Sequence, residues 1–526
     1  MTDFINKHKK VIVRLAVTIS AVLMGFCVMF TELAVLQWIV LVPAAICLFK
    51  LSEKSIKYRK AYLYGLGFFW IYYVTIFHWF AYMHPLDFLG MESLESLAVV
   101  CIAWFGLSLL QALFSALSLP LFLFITQRVR ETHKYLLPIV AASLWVIVEF
   151  SLTITWAGVP WSRLALGQID IPFAVQSVSL FGSYFITFLI VIINFLVAYA
   201  LVYKRKLALS AGLCVLALNF VFGAVAQITY REGEKVTVAA TQGNISSIEK
   251  WDKNSRRKTL DIYKSFAAEA AAQGAKIVLT PESVLPYKLS KTGTISTELS
   301  ETAYINDVYL LIGAFSTDSD NNLYNSVFSF EPDGKINETI YSKRRLVPFG
   351  EFLPLEPVIK TLLAPLAEVN AVSSDFTPGD GSNVIETEYA KVGCLICFDS
   401  IYENLTLESV RDGAEIIMIS TNDSWFSDSA ALEMHNNQAR LRAIETGRSV
   451  VRSANTGISS IITPTGKIVK SIGALKKGLI VADVEIRCDR TLYSYIGNLF
   501  VYLCYAFVAI VAVAPKIKVA FVHKKA

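Results

Sequence analysis

Long apolar segments constrain the fold of this chain more than any other feature. Seven lie in its first half and an eighth near the C-terminus, and each is close to or above the ~18 residues of a spanning helix. Only 17% of the residues are charged, against roughly 25% in a typical soluble domain. The sequence therefore predicts a membrane α-helical bundle of eight spans, at residues of about 11–27, 29–49, 61–83, 97–126, 136–154, 173–202, 207–227 and 496–514.

Basic residues between these segments predict the orientation. Clusters of Lys and Arg precede span one and follow spans two, four, six and eight, at Lys7–Lys10, Lys50–Lys60, Arg128–Lys134, Lys204–Lys206 and Lys516–Lys525. The alternate loops 83–96 and 155–172 contain one basic residue between them, Arg163. Because basic loops stay on the cytoplasmic side of a membrane, both termini are predicted to be cytoplasmic. Residues of about 228–493 are then predicted to lie outside the cytoplasm.

The chain accordingly divides into three predicted parts, 1–227 with seven spans, a polar segment 228–493, and 494–526 with the last span and a basic tail. Strand and helix patterns alternate in the polar segment, which predicts an α/β domain with a mixed sheet and its own core. The predicted strands are 235–241, 276–280, 307–315, 323–330, 336–341, 390–397, 415–420, 450–453, 458–463 and 478–485, and the predicted helices are 254–274, 401–413 and 430–447.

A candidate site lies where strands of this domain end. An apolar strand ends at Cys397, and a helical segment begins near residue 401. A cysteine at such a junction is exposed at the sheet edge, close to backbone N–H groups that favour an anion. Glu282 follows another buried strand, and ligands in open α/β sheets bind at the carboxyl ends of strands. Alone, Glu282 is typical of a solvated strand end and Lys343 of a surface charge, but together with Cys397 they indicate a catalytic site.

Three motifs resemble those of the nitrilase superfamily. They are Thr280-Pro281-Glu282-Ser283, Lys343-x-x-Leu-Val-Pro-Phe-Gly-Glu351 and Gly393-x-x-x-Cys397-Phe398. That superfamily carries a Glu-Lys-Cys triad on an α-β-β-α sandwich, and the multi-span frame narrows the resemblance to the apolipoprotein N-acyltransferase family. The resemblance covers essentially the whole chain and extends to stretches that contain Trp251, Asn422 and Trp425.

The resemblance implies a role for each matched residue. Glu282 takes the proton of Cys397, with a pKa raised by burial in a site that excludes water. Lys343 stabilises the oxyanion, with the backbone N–H of Phe398 as a second donor. Glu351 orients Lys343 or the base. The other matched residues, expected to support the site or bind substrate, are Trp251, Asn422 and Trp425.

The same resemblance implies the substrates and the location. A phospholipid would acylate Cys397 as a thioester, and the N-terminal amine of a diacylglyceryl-modified apolipoprotein would accept the acyl group in a ping-pong reaction. The catalytic domain would face the periplasm from a bacterial inner membrane. No cofactor is expected, and the six scattered histidines suggest no metal site. No basic, aromatic-rich block indicates a nucleic-acid partner.

Two stretches leave questions open. The family usually has Glu two residues after the cysteine, whereas this chain has Asp399, which we expect to support the loop less directly and to which we assign no catalytic role. The apolar segment Leu353–Val369 predicts either an ordinary core helix or a lipid-facing lid, and Leu362 and Leu363 would be central to a lid. The loop with Trp425 and Phe426 could serve in the same way.

Other functions compete with acyl transfer. A membrane-anchored nitrilase-type amidase or hydrolase would pass the acyl group to water, and the sequence does not separate it cleanly from a transferase. Cys394 and Cys397 could form a C-x-x-C redox pair, but strand alternation places them on opposite faces, which favours packing for Cys394. A transporter is disfavoured because few ionisable residues lie within the spans.

Overall fold

The computed structural model describes residues 2–54, 56–86, 90–129, 131–356 and 376–523. Most of the predicted core helix or lid, including Leu362 and Leu363, lies outside these residues. The chain forms two compact units. One comprises residues 1–81, 99–229 and 496–526, and the other comprises residues 82–98 and 230–495.

Helices build the N-terminal half, and one more follows near the C-terminus. The α-helices are Thr2–Met29, Val42–Ser52, Tyr58–Ile76, Ser93–Ser115, Ser118–Thr126, Leu137–Ser151, Pro172–Val175, Val178–Phe181, Ser183–Tyr203, Lys206–Thr229 and Leu499–His523. Short 3-10 helices extend or link them at Thr31–Trp38, Phe77–Met83, Glu131–Leu136, Pro160–Ser162 and Leu164–Gln168. Among the described residues, seven helical segments are long and apolar enough to cross a membrane, and they coincide with the first seven predicted spans. The eighth prediction matches the shorter apolar segment Leu499–Val513.

Two charged residues inside the helical unit have hydrogen-bond partners there. The Glu149 carboxylate accepts a hydrogen bond from Thr187 Oγ1 at 2.8 Å, and Arg163 Nη1 donates to Ser183 Oγ at 2.8 Å. Both charged residues are almost fully buried, at 4% and 1% exposure. Partners of this kind are required because an unsatisfied ionisable group is costly within a membrane protein. Arg163 is therefore an internal group, which leaves the surface of loop 155–172 without a basic residue.

The second unit contains two β-sheets. Its strands are β1 Glu234–Gln242, β2 Ile277–Leu279, β3 Leu285–Lys288, β4 Tyr309–Thr317, β5 Leu323–Phe330, β6 Tyr341–Ser342, β7 Ile385–Glu386, β8 Lys391–Ile396, β9 Ile416–Thr421, β10 Ser449–Ala454, β11 Ser459–Ile462, β12 Ile468–Ile472 and β13 Gly478–Ile486. Its α-helices are Ser247–Trp251, Arg256–Ala272, Thr294–Asn306, Glu403–Arg411, Ala430–Thr446 and Leu492–Ile496. Single 3-10 turns occupy Lys253–Ser255, Cys397–Ile401 and Ser424–Phe426.

Each sheet is parallel at its centre and antiparallel at its edges. The seven-stranded sheet has the order β13-β1-β2-β4-β5-β6, with β3 also paired to β4, and the six-stranded sheet has the order β12-β11-β10-β9-β8-β7. The strands β1, β2 and β4 run parallel, as do β8, β9 and β10. The carboxyl ends of parallel strands meet at one edge of a sheet, so residues that follow β2, β8 and β9 occupy the edges where a site is expected.

The two sheets pack face to face. Their shared core contains Val238 and Leu279 from the seven-stranded sheet and Cys394, Met418 and Val451 from the six-stranded sheet, all fully buried. Helices Arg256–Ala272 and Thr294–Asn306 cover the outer face of the first sheet, and helices Glu403–Arg411 and Ala430–Thr446 pack against the second. This layering is the predicted α-β-β-α sandwich.

The predicted strand 336–341 is wrong. Only Tyr341 and Ser342 form strand β6, Ile336 makes an isolated bridge to Phe330, and the side chain of Asn337 forms local hydrogen bonds after that bridge. Its Nδ2 donates to Glu331 Oε1 at 2.7 Å, and its Oδ1 accepts from the Thr339 N–H at 2.9 Å. Asparagine competes with a strand ladder in this way because its side chain can bond to nearby backbone groups. The helix Thr294–Asn306 and strands β3, β7 and β12 were not predicted.

Candidate active site

Cys397 lies at the turn that follows strand β8. The strand ends at Ile396, and a 3-10 turn begins with Cys397 itself. Cys397 has a φ of +48°, a left-handed conformation that a residue with a Cβ adopts only where the surroundings enforce it. Ser400 Oγ donates to the Cys397 carbonyl oxygen at 2.7 Å. The thiol is therefore presented, half-buried, at the carboxyl edge of the six-stranded sheet.

Asp399 holds this turn directly, so our expectation of a weaker support is wrong. Its carboxylate accepts hydrogen bonds from the N–H groups of Ile396 at 3.1 Å and Arg345 at 2.7 Å. It also accepts from the Tyr341 hydroxyl at 2.8 Å. The shorter side chain suffices because the backbone next to Lys343 approaches the turn closely. Asp399 thereby connects the segment of Lys343 to the turn of Cys397.

Glu282 follows strand β2 and has defined partners on both carboxylate oxygens. Its Oε1 accepts from Lys343 Nζ at 2.9 Å and from Asn325 Nδ2 at 2.8 Å. Its Oε2 accepts from the backbone N–H of Asn422 at 3.0 Å. The residue is 6% exposed, so protein donors replace most of its hydration. This arrangement fixes the carboxylate and favours its ionised form.

Lys343 bridges two carboxylates. Its Nζ lies 2.9 Å from Glu282 Oε1 and 2.9 Å from Glu351 Oε1, and the side chain is 2% exposed. Glu351 is itself held by the N–H of Val347, which donates to Oε2 at 2.8 Å. A buried ammonium requires such pairing, because an isolated one would be strongly destabilising. Glu351 is thus placed to orient Lys343.

The pKa of the Glu282 carboxyl and that of the Cys397 thiol shift in opposite directions. Burial raises the pKa of Glu282, but the charges of Lys343 and Lys250 outweigh it, and the pKa is lowered overall. Our expectation of a raised pKa is therefore wrong, because burial was considered without the two ammonium groups. Burial and the Glu282 charge raise the pKa of the Cys397 thiol to about 12. These pKa shifts favour an ionised Glu282 carboxylate and a protonated Cys397 thiol at neutral pH.

Lys250 is a site residue that the sequence reasoning missed. Its Nζ donates to the Glu282 carbonyl oxygen at 3.1 Å and to Ser283 Oγ at 2.8 Å, and the residue is 7% exposed. The short helix Ser247–Trp251 carries it towards the turn after β2. The one signal in the sequence is its position directly before Trp251, within a stretch that matches the family.

A buried polar cluster lies beneath Cys397. His435 Nε2 is 3.3 Å from the Cys397 carbonyl oxygen, and His435 Nδ1 is 3.0 Å from Asp423 Oδ1. Arg452 Nη2 donates to Asp423 Oδ2 at 2.6 Å. Within the described ranges, no group of three His, Cys, Asp or Glu residues could hold a metal ion. His435 is one of the six scattered histidines, and its partners come from distant segments of the chain.

The remaining predicted residues fall into two groups. Asn422 belongs to the site, since its N–H contacts Glu282 and its Oδ1 accepts from Asn455 Nδ2 at 3.1 Å. The other three, Phe398, Trp251 and Trp425, make none of the hydrogen bonds to Glu282 described above. The Phe398 ring lies 5.4 Å from the ring of Tyr402. Trp251 is 55% exposed, with its ring 6.2 Å from that of Phe315, and Trp425 lies in the 3-10 turn Ser424–Phe426.

Family models match both halves of the chain. Residues 237–490 match carbon–nitrogen hydrolase, and residues 20–196 match the apolipoprotein N-acyltransferase N-terminal domain. Apolipoprotein N-acyltransferase from Gloeobacter violaceus is 31% identical over 478 residues, which is 90% of this chain and 88% of that protein. The enzyme of the same name from Pasteurella multocida is 29% identical over 474 residues, or 86% of each chain.

A solved structure is also similar to part of the chain. Saccharomyces cerevisiae Nit3, a member of branch 10 of the nitrilase superfamily, aligns with 50% of this chain and 94% of its own length. The sequence identity is 21% and the TM-score is 0.38.

Proposed function

Because this chain belongs to the apolipoprotein N-acyltransferase family, we propose that it transfers a fatty acyl group from a membrane phospholipid to the N-terminal amine of an apolipoprotein. The acceptor residue would be S-diacylglyceryl-cysteine. One observation supports this proposal above all others. Lys343 Nζ lies 2.9 Å from Glu282 Oε1, and both charges act on the Cys397 thiol. These interactions support a site in which Glu282 is the base, Lys343 the cation and Cys397 the nucleophile.

In the first step, Cys397 Sγ attacks the ester carbonyl of the phospholipid while Glu282 accepts the thiol proton. Lys343 and the backbone N–H of Phe398 stabilise the negative charge that develops on the carbonyl oxygen. When the tetrahedral intermediate collapses, the carbon–oxygen bond breaks and Glu282 returns the proton to the leaving alkoxide. The products are a Cys397 thioester and a lysophospholipid. The high pKa of the thiol makes this proton transfer depend on a bound, correctly placed ester.

In the second step, the neutral amine of the acceptor attacks the thioester carbonyl, and Glu282 accepts a proton from the attacking nitrogen. The carbon–sulfur bond then breaks, the amide forms, and the proton returns to Cys397. A thioester transfers its acyl group to an amine more readily than an oxygen ester does. The same base and the same oxyanion donors thereby serve both halves of a ping-pong reaction.

The location follows from the spans and the loops. The chain is a multi-span protein of the bacterial inner membrane, and we place the catalytic unit on its periplasmic side with both termini in the cytoplasm. The loop after the third span supports this orientation. It is poor in Lys and Arg, and residues 82–98 group with residues 230–495, where Ser427 Oγ donates to the Tyr82 carbonyl oxygen at 2.9 Å. Loops of that composition face away from the cytoplasm.

The membrane frame suits lipid substrates. A soluble enzyme would have to extract each acyl chain from the bilayer, at roughly 0.8 kcal/mol for every methylene group removed. The redox alternative is disfavoured by the burial of Cys394, which is fully enclosed in the core between the sheets. A hydrolase has the same first step as a transferase, so the fate of the thioester distinguishes the two.

Mass spectrometry of the purified protein in phospholipid vesicles tests the proposal. We expect a fatty-acyl adduct on Cys397 that is absent in Cys397→Ser and is discharged by a peptide with an N-terminal diacylglyceryl-cysteine. Cys488→Ser is the matched control, because Cys488 is an exposed cysteine of the same unit. An adduct that water clears equally fast without the peptide would indicate a hydrolase. No adduct, together with a Cys394–Cys397 disulfide, would overturn the proposal.

A further inference from the structure

We propose that Lys250 is a positioning residue that holds the turn of Glu282 and so places its carboxylate to accept the Cys397 proton. This inference rests on the proposed function. The residue does not belong to the Glu-Lys-Cys set, and its side chain points at the turn that carries the base. Two separate observations support it, the hydrogen bonds of Lys250 to that turn and the balance of charge around the base.

The hydrogen bonds fix the backbone of the base. Lys250 Nζ is 3.1 Å from the Glu282 carbonyl oxygen and 2.8 Å from Ser283 Oγ. Ser283 has a φ of +43°, which is unfavourable for a residue with a Cβ, so this turn needs external support. A buried ammonium that bonds to consecutive residues can supply it. The carboxylate of Glu282 then leaves the turn in one direction, towards Lys343.

The charges around the base balance only when Lys250 is counted. Two carboxylates, Glu282 and Glu351, share Lys343 at 2.9 Å each. One ammonium between two buried carboxylates leaves an excess negative charge, which favours protonation of one of them. Lys250 supplies the second positive charge and interacts with the charge of Glu282. Without Lys250, Glu282 would take up a proton from solvent at a higher pH than in the wild type.

Burial and the groups that face Lys250 determine its pKa. Burial lowers its pKa to about 8, against the opposing effect of Glu282 and Cys397, and Lys343 lowers it further. Lys250 is therefore charged at neutral pH and becomes neutral as the pH rises through about 8. Lys343 does not titrate in this range, because Glu282 and Glu351 outweigh its burial and raise its pKa well above the ordinary value.

The test measures the rate of Cys397 acylation against pH in phospholipid vesicles, with the full chain. Lys250→Met removes both the charge and the hydrogen bonds, and Lys250→Gln removes the charge while it keeps N–H donors. Ser283→Ala removes one hydrogen bond and keeps the charge. Lys258→Met is the control, since Lys258 forms an exposed ion pair with Glu249 in the neighbouring segment. The thermal midpoint of each variant is measured in parallel.

We expect Lys250→Met to slow acylation about 10²-fold at pH 7, the loss that a misplaced catalytic group causes. Both Lys250 variants should move the acid limb of the profile up by about 1 pH unit or more, because Glu282 loses a neighbouring cation. Ser283→Ala should keep the wild-type shape of the profile, and Lys258→Met should match the wild type in rate and shape.

Wild-type acylation with an unchanged profile in Lys250→Gln would overturn this inference and leave the proposed function in place. A rate in folded Lys250→Met equal to that of Lys258→Met would overturn it as well. Absence of the Cys397 adduct in the wild type would overturn the proposed function and, with it, the role of Lys250.

Discussion

The backbone N–H of Asn422 lies 3.0 Å from Glu282 Oε2, and this hydrogen bond connects the two sheets of the sandwich. Asn422 follows strand β9 of the six-stranded sheet, whereas Glu282 follows strand β2 of the seven-stranded sheet. Nearby, Ser420 Oγ donates to the Thr280 carbonyl oxygen at 2.9 Å. Glu282, the proposed base, therefore follows a strand of one sheet and is oriented by a hydrogen-bond donor that follows a strand of the other sheet.

Glu282→Gln should abolish most of the activity, and its NH2 group must face a donor on one side, either Lys343 and Asn325 or the N–H of Asn422. The amide has nearly the same volume as the carboxylate but cannot accept the thiol proton. We expect acylation of Cys397 to fall about 10²- to 10⁴-fold, the usual contribution of a general base. The rate of adduct formation measures it. Glu298→Gln, at a carboxylate paired with Arg257 and Lys264, is the control and should leave the rate unchanged. A near-normal rate in Glu282→Gln would assign the base to another group.

Lys343→Met should lower both the rate and the stability. Loss of an oxyanion donor costs about 10²- to 10³-fold in rate. Loss of the ammonium leaves Glu282 and Glu351 buried without their shared partner, at a cost of about 3–5 kcal/mol in the free energy of unfolding. The double variant Lys343→Met/Glu351→Gln separates the two effects, since it should recover part of the thermal stability and none of the rate. Recovery of the rate would contradict a role for Lys343 in stabilising the oxyanion.

Asp423 should make stability depend on acid pH. Burial raises its pKa, but the charges of Arg452 and His435 outweigh burial, so the folded-state pKa is lowered. A lowered folded-state pKa stabilises the fold above the unfolded value of about 3.9 and loses this contribution as the pH falls further. Asp423→Asn should be less stable at pH 7, because Arg452 loses its partner. The difference from the wild type should shrink below pH ~4. Thermal unfolding from pH 3 to pH 7 checks this, and a constant difference would contradict it.

Cys394→Ala should leave acyl transfer intact. Cys394 is fully buried in the core between the sheets, and burial raises the pKa of its thiol to about 12. We expect a loss of about 1 kcal/mol in the free energy of unfolding, typical of a small buried deletion. The rate of Cys397 acylation should match the wild type. A large fall in that rate, without a change in the thermal midpoint, would revive the redox pair.

The parts of this structure that depend on local pattern could be predicted from the sequence. Seven spans follow from unbroken apolar runs, and the strands that precede Glu282 and Cys397 follow from short β-branched segments. The three motifs identified Glu282, Lys343 and Cys397 as candidates, and Lys343 and Glu282 are in contact. The electrostatic state of Glu282 could not be predicted, because its sign depends on which cations the fold brings close.

The missed residues share a cause. Lys250 contacts a turn that begins more than thirty positions along the chain, and His435 reaches Cys397 from a separate helix. Neither residue lies in a periodic pattern or in a motif of fixed spacing, because its position in the site depends on a tertiary contact and not on local structure. The wrong prediction at 336–341 has the opposite origin. There, a local hydrogen bond of the Asn337 side chain competes with the backbone pairing that the sequence pattern favours.

The hydrogen bond from Asn422 to Glu282 also bears on how the protein matures. In chain order the base comes first, then Lys343, then Cys397, and Asn422 comes last. A chain in which β1, β2 and β4 have paired but β8 and β9 have not docked therefore has Glu282 without its Asn422 donor and without Cys397. If Glu282 and Cys397 act as proposed, acyl transfer requires that strands β8 and β9 have docked. Under the proposed mechanism, an incompletely folded chain would therefore not acylate the amines around it or consume the surrounding lipids.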